Sequence, residues 1–120
     1  MPKIYLSPST QDWNMYVTGS GSEEYNMNLL ADALVPYLLS NGIQYQRNRP
    51  EMTAGSSIRE ANQGEYDLYL ALHSNAAPEG RYGEERGIIA FYYPGSVGGQ
   101  RAAELIAQEL RKIYPLPNKV

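Results

Sequence analysis

The sequence predicts an α/β fold: a layered, mainly parallel sheet of about four strands with helices on both faces. Two observations carry that expectation. The run YDLYLALH, Tyr66 to His73, is nearly continuous in apolar residues, as in a strand buried on both faces. Between the strand-like runs lie longer segments whose apolar residues recur at helical spacing. The resulting order is strand, helix, strand, helix, strand, strand, helix.

The elements follow in turn. Lys3 to Leu6 (KIYL) reads as a short strand ended by the turn-prone SPST. Asp12 to Ser22 is polar and glycine-bearing, and reads as loop. A helix opens at Ser22, whose hydroxyl can cap free N–H groups, and Glu23 and Glu24 suit its positive end. Leu29, Leu30, Ala33, Leu34, Tyr37 and Leu38 form the expected core stripe. Pro36 removes one backbone bond, which predicts a kink or an early stop, and Asn41-Gly42 supplies a left-handed cap.

Ile43 to Tyr45 is the second strand, and RNRPEM is loop. A short helix opens at Ser56 or Ser57 and closes at Gly64. After the strand Tyr66–His73 comes a loop, Ala76 to Arg86, then a fourth strand, Gly87 to Tyr93. The last helix spans Gly99 to Ile113, with Ala102, Ala103, Ile106, Leu110 and Ile113 facing the core, and Pro115 and Pro117 end it.

With 120 residues the chain makes one domain, 1–120, large enough for a core without staples. It has no cysteine, which excludes disulfides and thiolate metal sites. A net charge of −3 and no basic patch argue against a nucleic-acid partner. The start, MPKIYLSPSTQ, lacks the apolar core of a signal peptide, and no apolar run approaches the ~20 residues of a membrane span. Eleven of the thirteen aromatics are tyrosine, as suits buried rings with bonded hydroxyls or a sugar- or peptide-binding surface.

In parallel α/β sheets ligands sit at the carboxyl ends of the strands. His73, the only histidine, stands at such an end. The SPSTQ loop and the start of the first helix should open onto the same edge. An imidazole and a carboxylate brought together there make half of a zinc site. Each residue also has a plainer account. His73 can be a hydrogen-bonded structural residue, Glu24 can serve the helix dipole, and Asn75 can serve a turn.

The motif YDLYLALHSNAAP, preceded by SIREAN at Ser57–Asn62, resembles the zinc-dependent N-acetylmuramoyl-L-alanine amidases, which hold the metal with two His and one Glu. His73-Ser74-Asn75-Ala76 matches the family's strand-end histidine, and EYNMNLLADAL matches its glutamate motif, with Glu24 in the ligand position. GIIAFYYPGS and RAAELIAQEL look like the strand, turn and helix that follow. The resemblance implies an incomplete amidase-type, phosphorylase/hydrolase-like fold and a zinc (Zn) cofactor. It also implies hydrolysis of the amide between N-acetylmuramic acid and L-alanine of peptidoglycan. Glu24, His73 and Gln11 are then the metal ligands, and Asn75 a substrate contact.

The chain departs from the family at two places. The first ligand, a His after strand one, is replaced by SPSTQ, with Thr10 or Gln11 in its place. No residue matches the catalytic Glu, which the family carries on a further strand; Glu79, Glu84 and Glu85 read as solvated loop charges. A domain lacking its last strands and helix would leave a sheet edge open, so the resemblance implies a chain that forms a homodimer through that edge, swaps elements or is only marginally stable. The alternative is a non-catalytic relative that binds muropeptide or a protein partner.

Overall fold

The computed structural model describes residues 2–16, 18–74 and 87–114, together with the backbone of 118–119. It is mixed α/β, with a parallel three-stranded sheet and three helices. Two compact units divide the chain, 1–74 and 75–120.

In the first unit, strand β1 is Lys3–Pro8, β2 is Gln44–Arg47 and β3 is Leu68–Leu72. Their order is β2-β1-β3, all parallel. The central position of β1 explains why Ile4 to Ser9 are all buried. The sequence reads Tyr66–His73 as a strand buried on both faces; that segment is instead an edge of this sheet, shorter and only partly buried.

Helix α1, Glu23–Ser40, is capped by Ser22, whose hydroxyl accepts from Tyr25 N–H at 3.1 Å. It ends as expected: Gly42 takes φ +73°, and Ile43 N–H reaches back to Leu38 O at 2.9 Å. Ala31 and Leu38 pack on Ile4 and Leu6, joined by Leu34, Val35, Leu68, Leu70 and Leu72. The core stripe is therefore rotated from the one expected. Leu29, Leu30 and Tyr37 lie exposed on the outer side, because α1 is apolar on both sides and the sheet selects the face carrying the small Ala31. Pro36 neither stops the helix nor ends it early. It and Asp32, whose carbonyl loses a partner, are exposed, so water can replace the missing bond.

Helix α2, Ala54–Gln63, starts two to three residues before the expected Ser56 or Ser57, because Thr53 and Ser56 form a reciprocal cap. It serves the other face of the sheet. Tyr5 stacks on Tyr69 with centroids 5.5 Å apart, and its hydroxyl donates to Glu60 Oε2 at 2.5 Å. Asn48, buried beyond β2, donates to Ser7 Oγ, Pro8 O and Ser57 Oγ at 3.0–3.2 Å. A carboxamide thus closes the polar layer under α2.

In the second unit, β4 is Ile88–Ile89, paired in parallel with β5, Asn118–Lys119, as a separate two-stranded sheet. The expected strand Gly87–Tyr93 thus contracts to two residues and does not extend the three-stranded sheet. Helix α3, Val97–Arg111, is capped by Ser96 and buries Ala103 and Ala107, while Ile106 and Ile113 stay exposed. Among the described residues no helix is long and apolar enough to cross a membrane.

Candidate metal and substrate site

The site forms where β1 and β3 run out. Ser9 N–H donates to Leu72 O at 2.9 Å, so the two strand ends stay paired one residue beyond β1. This pairing sets Ser9 beside the residues following β3, His73 and Ser74.

Glu23, the first residue of α1, reaches this point. Its carboxylate is 2% exposed. Oε2 accepts from the Ser9 hydroxyl, and Oε1 accepts from Ser74 N–H at 2.9 Å and Ser74 Oγ at 3.2 Å. Tyr16 Oη lies 2.6 Å from Ser74 Oγ and holds that hydroxyl from the far side. A buried carboxylate requires such partners, and these come from two separate segments of chain, the ends of β1 and β3.

His73 completes the cluster. Its Nδ1 lies 3.5 Å from Glu23 Oε2, and its side chain is 43% exposed. That separation exceeds the usual hydrogen-bond range of about 2.7–3.2 Å. Two ligands of one tetrahedral zinc stand roughly 3.3–3.5 Å apart, given their ordinary bond lengths. A carboxylate offers about four acceptor positions, and three hydrogen bonds leave room on Glu23. The separation is compatible both with a plain histidine–carboxylate contact and with two ligands of one metal. Among the described residues no third His, Cys, Asp or Glu joins them.

The residue the fold brings to His73 is Glu23, where the sequence pointed to Glu24. Successive helical residues are turned by about 100°, so the two carboxylates diverge. Glu24 lines a shallow groove with Tyr25, Asn28, Asp32 and Arg47. Gln11 lies close by: its N–H donates to Ser9 Oγ at 3.1 Å, but its side-chain oxygen accepts from Asn14 Nδ2 at 3.1 Å. Asn75 lies outside the described residues, as do Glu79, Glu84 and Glu85.

The sequence assigns no role to Ser9 or Tyr16, and to Ser74 only a local hydrogen bond and a place in the strand-end motif. The serines had one signal, their position just past two parallel strands. Tyr16 had none, because its hydroxyl meets Ser74 only through the fold.

Compared with protein-family models, curated proteins and solved structures, the chain matches none.

Proposed function

We propose that this chain is a zinc-dependent hydrolase of the amide between N-acetylmuramic acid and L-alanine in peptidoglycan. The observation that carries the reading is the 3.5 Å separation of Glu23 Oε2 and His73 Nδ1 at the carboxyl ends of two parallel strands. The sequence resemblance supplies the substrate.

Glu23 and His73 hold the metal in this reading, and Gln11 is the candidate third ligand. When bound, zinc polarises the amide carbonyl and lowers the pKa of a coordinated water. The chain's own groups set up the site. Ser9 and Ser74 fix the Glu23 carboxylate by hydrogen bonds, and Tyr16 fixes Ser74. Such support commonly matters by about 10–100-fold in metal affinity or activity. The exposed face of His73 leaves the ring open to a ligand.

A second reading, a non-catalytic domain of the same kind that holds muropeptide, draws on a different observation. Both Glu23 oxygens already accept hydrogen bonds from protein groups, so the cluster is a stable clamp by itself. Release of free muropeptide from purified peptidoglycan, lost in His73→Ala and in chelator, supports hydrolysis. Saturable muropeptide binding without release supports the second reading.

The homodimer belongs to the same proposal. Within the described sheet the outer strands β2 and β3 each present an unpaired edge. Light scattering at rising concentration tests it: a mass that stays at one chain counts against it.

A further inference from the structure

The chain has one tryptophan, Trp13, and it is 73% exposed. It stands in the turn Asp12–Trp13, between Gln11 and Asn14. That turn is pinned. Asn14 N–H donates to Gln11 O at 3.3 Å, and the Asn14 amide donates to Gln11 Oε1 at 3.1 Å. Glu23 N–H donates to Asn14 O at 2.8 Å, and Glu24 N–H reaches Gln11 O at 3.4 Å. The turn is therefore fastened to the first turn of α1, beside the buried carboxylate. Past it, a bridge between Met15 and Ser22 and the Tyr16–Ser74 contact fasten the other end.

An indole held in water on a fastened turn is not filling a core. It offers a flat apolar face at little ordering cost to a ligand. Its chain neighbours Asp12 and Asn14 are exposed and polar, and the Asn14 amide is bound to Gln11 Oε1. A flat, exposed ring face matches a pyranose, which presents C–H groups on its own faces.

We infer that Trp13 is a stacking platform for the sugar ring of the substrate, the N-acetylated muramic acid rather than the peptide. This rests on the substrate reading above, but it needs no metal.

The test uses the chain's single indole as its own reporter. N-acetylmuramoyl-L-alanyl-D-isoglutamine is titrated into the protein in chelator, with the free dipeptide L-alanyl-D-isoglutamine as control, and Trp fluorescence and calorimetry are read. The expected result is a saturable blue shift or quench with the sugar-bearing probe alone. Trp13→Ala should weaken its binding roughly tenfold or more, and Trp13→Tyr should restore most of it. No spectral change up to millimolar probe, an equal response to the free dipeptide, or unchanged affinity in Trp13→Ala would each overturn the inference. Zinc binding is measured separately on the same samples. Its loss would sink the hydrolase reading while leaving sugar stacking standing.

Discussion

His73 Nδ1 stands 3.5 Å from Glu23 Oε2, joining the residue after β3 to the first residue of α1. Ser9 and Ser74 hold the same carboxylate from either side. One buried glutamate thus ties together the ends of β1 and β3 and the start of α1, and its loss should be felt by the fold as well as by a ligand.

Glu23→Ala should destabilise the chain by about 2–4 kcal/mol, because the Ser9 hydroxyl and Ser74 N–H lose an ionic acceptor in a buried setting. Glu24→Ala should cost under about 1 kcal/mol, since its side chain lines an open groove. Urea unfolding of the pair checks this. Equal losses would mean that the two glutamates are not distinguished as described.

The core face of α1 can be checked in the same way. Leu38 is 8% exposed and Tyr37 70%. Leu38→Ala should cost about 2–4 kcal/mol, and Tyr37→Ala under about 1. Comparable costs at the two positions in thermal or urea unfolding would restore the stripe expected from the sequence, in which both face the core, and a reversed order would contradict the face described.

Asn48 makes three buried hydrogen bonds, to Ser7, Pro8 and Ser57. Asn48→Leu should cost about 2–3 kcal/mol, because the buried Pro8 carbonyl loses this donor and Ser7 and Ser57 keep only their bonds to Tyr69 and Thr53. Ser57→Ala removes only one of the three and should cost about 1. A cost below 0.5 kcal/mol for Asn48→Leu, roughly the level of a surface change, would contradict the buried network.

Acid should weaken the α2 side of the sheet. The Tyr5 hydroxyl and then Arg49 hold the Glu60 carboxyl below its ordinary range. A depressed folded pKa gives stability that is present above the unfolded value and lost as pH falls through the folded value. The Tyr5 phenol is pushed well above 10, first by burial and then by its bond to Glu60. Its contribution is present below pH 10 and is lost only as pH climbs beyond it. Urea midpoints measured from pH 6 down to 3 should fall in the wild type and fall less in Glu60→Gln. Parallel curves would show that Glu60 carries no such linkage.

Much of this arrangement was legible in the sequence because it depends on local chemistry. Ser22 caps α1, Gly42 ends it and Gly64 ends α2 wherever the helices go. The meeting of the SPSTQ loop, the α1 start and His73 followed from the parallel βαβ order alone. The choice between faces and neighbours was not legible. Ala31 and Ala33 are turned by about 200° about the helix axis and Glu23 and Glu24 by about 100°, and only packing against β1 decides which of each pair faces inward. The central place of β1 was hidden for the same reason: KIYL is a short run, and its burial comes from strands on both sides. The pair of isoleucines in β4 meets Asn118–Lys119, a partner far along the chain that no local pattern announces.

The most direct test of the central claim is zinc calorimetry on the intact chain, with Glu23→Ala, Glu24→Ala and His73→Ala alongside. The account predicts one zinc per chain, binding abolished by the changes at Glu23 and His73 and retained in Glu24→Ala. Absence of binding at micromolar zinc, or loss in Glu24→Ala with retention in Glu23→Ala, would contradict it.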